Sequence, residues 1–327
     1  MQEIERQISR GYGIDIKSIH SFRDVFIIES SCGKKVLRKL NLSPGRINFI
    51  HEAKEHLVRN NFKNVDRYIC TKDNEPYMFI DGVSYTVSDY IEGCESDFEK
   101  REDIIKSSTM LAKLHVSSRG FIAPKNCVPR DDLGKLPIYF TKRLEEMKRI
   151  KKIAQREKRK IDYLVLEYID YFHDLGEDAL KKLYASKYSE VVRKTRAEGL
   201  FCHHDYTHSN IIKSVDSTYI TNFNYCCFEL RVYDIANLLR RKMRKCNWNV
   251  DEAQLIMSSY SSVESISLDE FSIMKIILQF PQKFWRVINK YYNSRRTWRE
   301  RNYYSKFYEA VEEIDYHRRF MNDFQFS

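Results

Sequence analysis

The sequence predicts an α+β protein in two parts: a small β-rich N-terminal part at 1–93 and a larger helical part at 94–327. Three observations carry that reading. Short runs of β-branched and aromatic residues, separated by turn-forming residues, fill the first part. Apolar residues at helical spacing dominate the second. One polar stretch at 201–241, FCHHDYTHSNIIKSVDSTYITNFNYCCFELRVYDIANLLRR, interrupts the helices and reads as a loop, a short strand, a turn and a second strand. Chemistry is often placed on such a loop between structured elements.

In the first part, Ile19 to Leu40 reads as two strands around a turn at Ser31-Cys32-Gly33-Lys34. Ser43-Pro44 punctuates, and Phe49, Ile50, Ala53 and Leu57 then follow at the spacing of one amphipathic helix. Tyr68 to Thr71, Tyr77 to Ile80 and Tyr85 to Ile91 are further strand-like runs separated by KDNE and DGVS. A sheet of about five strands with one helix is expected, with Gly93 as the joint. Helices are predicted beyond it at 103–118, 140–160, 162–172 and 179–199, with several more from Val232 onward.

Composition bounds the function. With 327 residues, 43% of them hydrophobic and 13% aromatic, the chain can bury a sizeable core, which excludes disorder and collagen-like repetition. Only 10 glycines are present, and no GxxxxGK[ST] or GxGxxG occurs, so a glycine-rich phosphate cradle is excluded. The eight cysteines show no CxxC pairing, and the N-terminal segment lacks the apolar stretch of a signal peptide; synthesis in a reducing, intracellular setting is expected. The longest apolar runs, such as 276–280, fall far short of the ~20 residues that cross a bilayer, so a soluble protein with no membrane partner is expected.

The formal charge of +10 is segmental. Residues 141–160, 240–245 and 286–301 together carry +17, which leaves −7 for the rest. Leu144, Met147, Ile150 and Ile153 make an apolar stripe through the first of these, with the charges on the remaining surface. A solvated helix face accounts for most of that run, and an electropositive wall for an anionic partner is the alternative. Nucleic acid is disfavoured as the partner because no recognised binding module is present.

His203, Asp205 and Asn210 form HxDxxxxN. Phosphoryl transfer needs a carboxylate near the attacking hydroxyl and an amide oxygen a few residues later that can ligate Mg²⁺, and a loop of this length can aim both at one point. Residue frequencies alone produce such a match in roughly 2% of chains this long, so its weight comes from the strands around it. Zinc does not suit Cys202, His203, His204, Cys226 and Cys227, whose spacing lacks two sets of ligand pairs; ordinary packing is expected of Cys226 and Cys227.

With VLRKL at 36–40, YTVSDYIEG at 85–93, LAKLHVSSRGF at 111–121, LGKLPIYFTKRLEEMKRI at 133–150, CHHDYTHSNII at 202–212, NFNYCCFELRVYDIANLLRR at 222–241 and FPQKFWRVINKYY at 280–292, the chain resembles the CotS family of spore coat proteins. That family is a branch of the aminoglycoside phosphotransferase and protein-kinase-like superfamily. The resemblance implies a bilobal protein-kinase-like fold, with ATP and Mg²⁺ as cofactors and other spore coat proteins as partners. It implies that Asp205 is the catalytic base or hydroxyl-orienting carboxylate, that His203 braces the loop, and that Asn210 is a metal ligand. It also implies that Asp234 anchors the loop from the start of a helix, against an alternative in which it is simply a favourable helix N-terminal charge.

Two departures from the family pattern bear on activity. Asn222-Phe223-Asn224 stands where an aspartate-containing DFD or DFG-like element is implied, so Asn222 offers Mg²⁺ a neutral oxygen in place of a charge. Arg38 stands at the place of the phosphate-binding lysine, with Glu52 as its implied ion-pair partner and Glu55 as the alternative. The resulting expectation is a spore coat protein of kinase-like fold with a reduced nucleotide site. The alternative is an active ATP- and Mg²⁺-dependent phosphotransferase acting on a small hydroxylated molecule or a coat component.

Overall fold

A computed structural model describes residues 2–293 and 300–326. The chain forms two compact units, Met1–Asp131 with Glu198–Phe228, and Asp132–Ala197 with Glu229–Ser327. The segment carrying HxDxxxxN therefore packs with the β-rich part.

The first unit opens with α1 (Gln2–Tyr12), followed by β1 (Ile16–Phe22), β2 (Val25–Ser30) and β3 (Gly33–Leu40). After α2 (Pro44–Arg59) come β4 (Tyr68–Ile69), β5 (Met78–Ile80), β6 (Val83–Asp89) and β7 (Cys94–Glu95). Six strands make one antiparallel sheet in the order β1-β2-β3-β6-β4, with β5 also on β6. The run expected to be one strand through Ile19 to Ser30 is two strands, because Arg23 takes a left-handed conformation (φ 54°) and reverses the chain so that Phe22 pairs with Val25. Helix α1 was not foreseen. Ile8 and Tyr12, one turn apart, seal the sheet against Ile28, Leu37, Ile80, Tyr85 and Val87.

Ser43 caps α2, its side chain accepting from the Arg46 N–H, and Pro44 supplies a preset first turn. Ile47, Phe49, Ile50, Ala53 and Leu57 are buried, each large apolar side chain worth roughly 1.5–3 kcal/mol. Helix α3 (Arg101–Ser118) follows in this unit. Later in the chain come β8 (Phe201–Cys202), β9 (Ile211–Lys213), β10 (Thr218–Ile220) and β11 (Cys227–Phe228). β9 lies between β10 and β7, and β8 pairs with β11. Gly93 permits the β7–β9 approach: its φ is 157°, and a Cβ there would fall 2.2 Å from the Lys213 carbonyl oxygen.

The second unit is helical among the described residues: α4 (Leu136–Glu157), α5 (Lys160–Ala185), α6 (Tyr188–Glu198, its last residue in the first unit), α7 (Arg231–Met243), α8 (Val250–Ser261), α9 (Leu268–Gln279), α10 (Gln282–Asn293), α11 (Glu300–Val311) and α12 (Ile314–Asp323). The break expected between 172 and 179 is absent. α5 runs on through Gly176, where a Cβ would come within 2.8 Å of Leu144 and 3.4 Å of Phe280, so the glycine lets neighbouring side chains approach the helix. The helix predicted over 179–199 is instead divided at Ser186, whose extended backbone ends α5. Among the described residues no helix is long and apolar enough to cross a membrane.

Candidate functional site

An aromatic stack carries the loop strands. Phe49 of α2 packs edge-on against Phe121 and Phe228 at 5.5 and 5.7 Å, and Phe121 packs on Phe201 at 5.2 Å, so β8 and β11 rest on the same apolar pile as α2. Beyond β8, His203 is wholly buried. Its Nε2 donates to the Thr221 carbonyl at 2.9 Å, while Nδ1 accepts from the Asp205 N–H at 3.3 Å. That pair of bonds fixes the proton on Nε2 and ties the loop to the chain just before Asn222. Tyr206 anchors the same loop to α3, donating to the Ser107 carbonyl at 2.7 Å.

Asn210 is buried and turned back onto Asp205. Its Nδ2 donates to the Asp205 carbonyl oxygen at 2.8 Å and to Asp205 Oδ2 at 3.1 Å, which orients the carboxylate. Asn222 arrives from the other side in a left-handed conformation (φ 64°) that asparagine tolerates better than most residues. Its N–H donates to Asp66 Oδ2 at 3.0 Å, and its Nδ2 donates to Asn210 Oδ1 at 3.2 Å. His203, Asp205, Asn210 and Asn222 are thus one hydrogen-bonded cluster.

Lys54 and Asp66 complete the cluster, and sequence reasoning missed both. Lys54 is fully buried on the inner face of α2, with Nζ 2.9 Å from Asp66 Oδ1 and 2.6 Å from the Asp66 carbonyl oxygen. Nζ also lies 3.8 Å from the Tyr68 ring centre and 5.6 Å from that of Phe223. Burial pushes the Lys54 ammonium below its usual pKa, and the Asp66 carboxylate opposes that shift. A signal was available: residue 54 is four after Ile50 and three before Leu57, which puts it in the apolar stripe.

The ion pair expected between Arg38 and Glu52 is not formed. Arg38, opposite Thr86 in the ladder, has Asp24 Oδ2 at 3.4 Å; Glu52 has Arg59 at 3.6 Å, and Glu55 makes a two-pronged pair with Arg67 at 2.9 and 2.6 Å. Helical geometry is the reason. Residues 52 and 54 are about 200° apart around α2, so the turn that buries Lys54 points Glu52 away from the cluster.

For a divalent cation the pair Asn210 and Asn222 is a poor fit as arranged. Asn210 Oδ1 is taken by the Asn222 amide nitrogen, and Asn222 Oδ1 is buried without a hydrogen-bond partner. Both candidate ligand oxygens are neutral, and an amide NH₂ faces the place a second oxygen would be needed. Asp234 lies in the first turn of α7, wholly buried, within the second unit.

The basic segments differ from a single open wall. On α4, Lys148 pairs with Glu177 at 3.0 Å and Lys151 with Asp170 at 2.6 Å, both on α5, and Arg143 lies 4.6 Å from the Trp285 ring. In 240–245, Arg240 and Lys242 are buried, Lys242 pairing with Glu252 at 3.0 Å. Of 286–301, residues 294–299 lie outside the described residues. None of the eight cysteines is in a disulfide, and Cys202, Cys226 and Cys227 are buried.

The fold, a β-sheet N-terminal region with a larger helical part, is the one shared by aminoglycoside phosphotransferases of kinase-like fold. The chain is similar in fold to an aminoglycoside phosphotransferase from Alicyclobacillus acidocaldarius subsp. acidocaldarius, with TM-score 0.84 at 20% identity over 94% of this chain and 91% of that one. A microcompartment-associated aminopropanol kinase superposes with TM-score 0.58 at 13% identity, covering 98% of each chain. In sequence, Spore coat protein S of Bacillus subtilis (strain 168) is 25% identical over 293 residues, 89% of this chain and 83% of that protein. The chain matches the family described as "Spore coat putative kinase YutH" over residues 5–324, and it belongs to that family.

Proposed function

We propose that this protein acts in the spore coat as a kinase-fold component whose phosphoryl-transfer site has lost most of its metal-dependent function. The coat assignment is supported by membership of the family and by the similarity to Spore coat protein S; other coat proteins are the partners that follow from it. The loss rests on one observation, the hydrogen bond from Asn222 Nδ2 to Asn210 Oδ1. Of two side chains that would together hold Mg²⁺, one offers a nitrogen and consumes the oxygen of the other. ATP and Mg²⁺ remain the matching cofactors, since a spectinomycin phosphotransferase of the same fold was solved with ADP, and they bind weakly here. Thermal denaturation with and without Mg-ATP tests the reading. A shift of no more than a degree or two supports it, and a large Mg²⁺-dependent stabilisation abolished by Asn210→Ala overturns it.

A second reading is favoured by a different observation. Asp205 keeps its carboxylate oriented by Asn210 in a loop braced by His203, as a hydroxyl-activating base requires. In that reading the protein transfers phosphate to a small hydroxylated molecule or a coat component. Labelled ATP with sporulating-cell extract is the test: transfer by the parent chain that disappears in Asp205→Ala supports it, and equal transfer by both removes it.

A further inference from the structure

The second unit has a partly open cavity of about 30 Å³ lined by α5, α7 and the loop after it, the end of α9, the start of α10, and the start of α12. That is about twice the roughly 10–15 Å³ one water needs, so the space suits a group of a few heavy atoms. Its charged lining is mainly cationic, Arg240, Arg244 and Lys283 against Glu313. Arg240 is buried; its Nη2 donates to the Ile277 carbonyl, and its Nη1 has Asn237 Oδ1 at 3.5 Å. Arg244 Nε is buried without a hydrogen-bond partner. Arg244 Nε and Lys283 Nζ each lie 3.7 Å from Glu313 Oε2, which also accepts from Trp248 Nε1 at 3.2 Å.

Three of the charged residues lining the cavity are cations and one, Glu313, is a carboxylate, so the lining carries a surplus of positive charge, which the Lys283 Nζ bond to the Glu309 carbonyl oxygen and the nearby Glu309 carboxylate offset only in part. Uncompensated buried charge is among the most costly arrangements in a protein. The strain registers on Arg240, whose pKa is pushed down to about 9 by burial first and then by Arg244, Arg143 and Arg286. Burial, opposed by Glu313, lowers Lys283 as well.

We propose that this cavity binds a small inorganic oxyanion of the phosphate or sulfate class, held by Arg240, Arg244 and Lys283, with the Trp248–Glu313 pair forming its wall. A tetrahedral anion opposes the surplus charge, and guanidinium groups are suited to oxyanion geometry. The site lies wholly within the helical unit and does not rest on the coat-protein reading of the Asp205 cluster.

Titration of the full chain with sodium sulfate and sodium phosphate, against sodium chloride at matched ionic strength, tests the proposal by calorimetry and thermal denaturation. Saturable binding and stabilisation by sulfate and phosphate but not chloride are expected, with Arg244→Gln weakening the affinity about tenfold. Glu313→Gln removes the opposing carboxylate and is expected to tighten binding severalfold. Equal shifts by all three salts overturn the proposal, as does unchanged affinity in Arg244→Gln. Should Arg244→Gln fold poorly, Glu313→Gln decides: affinity that is unchanged or weaker than the parent's overturns it.

Discussion

Lys54 Nζ lies 2.9 Å from Asp66 Oδ1 and 3.8 Å from the centre of the Tyr68 ring, so the inner face of α2 buries an ion pair where an aliphatic side chain would be ordinary. Removing either partner strands the other charge in a place with little water. Lys54→Met and Asp66→Asn are each expected to destabilise the protein by about 3–5 kcal/mol, while the double variant loses much less than the sum. Urea denaturation of the four proteins measures this, and additive losses would show that the pair is not coupled.

Asn222→Asp should keep its backbone, because the bond to Asp66 comes from the N–H and aspartate also tolerates a left-handed conformation. It exchanges the amide nitrogen facing Asn210 Oδ1 for an oxygen. Without metal, loss of that bond is expected to cost about 1 kcal/mol. With Mg²⁺ the loss should reverse, and ATP affinity should become metal-dependent. Melting temperatures with and without Mg²⁺, alone and with ATP, read both effects.

Gly93→Ala places a methyl group 2.2 Å from the Lys213 carbonyl oxygen, a backbone atom that can move only with β9. A destabilisation of at least about 2 kcal/mol is expected from overpacking and strained backbone together. Gly33, where a Cβ would meet nothing within 4 Å, is the control, since its substitution carries only the strain of its positive φ. Denaturation midpoints that fall equally for the two would show that the β7–β9 approach is not tight.

His317 has its pKa lowered to about 4, by burial first, with Arg240 and Arg244 adding to it and the bond to the Leu278 carbonyl opposing it. The unfolded chain, with its histidine near 6.5, takes up this proton before the folded chain does. The contribution is therefore fully present above about pH 6.5 and is lost as pH falls toward 4, about 2–3 kcal/mol in all. In His317→Gln the stability should change less across that window, as measured by denaturation at pH 4.5, 5.5 and 7.

Much of the architecture was legible because periodicity is local. A run of β-branched and aromatic residues after a turn marked β6, the 3.6-residue period marked α2 and α4, and HxDxxxxN marked the loop, where the structure joins Asp205 and Asn210 by hydrogen bonds. What escaped depended on partners distant in sequence or on a face hidden by charge. Helix α1 has a polar composition, and its Ile8 and Tyr12 gain meaning only against a sheet formed later in the chain. Lys54 was passed over because the partners that give it meaning, Asp66 and Tyr68, come later in the chain. The run of basic residues at 240–245 counted only as a charged segment, yet Ala236, Arg240 and Met243 share one side of α7, and that side is buried. Glu52 failed as the partner of Arg38 because a carboxylate's presence on a helix does not say which way the helix is turned.

Helix α2 is fastened to the 222–226 segment at two separated points. Near its start, Arg46 Nη2 donates to the carbonyl oxygens of Asn224 and Cys226; two turns on, Lys54 holds Asp66, which holds the Asn222 N–H. A helix pinned at two points cannot swing about either one without breaking buried, charge-assisted bonds. The helix and the loop should therefore exchange their amide hydrogens as a single cooperative block. Such a block makes a static scaffold, with no easily reached second position from which an effector could turn the site on or off.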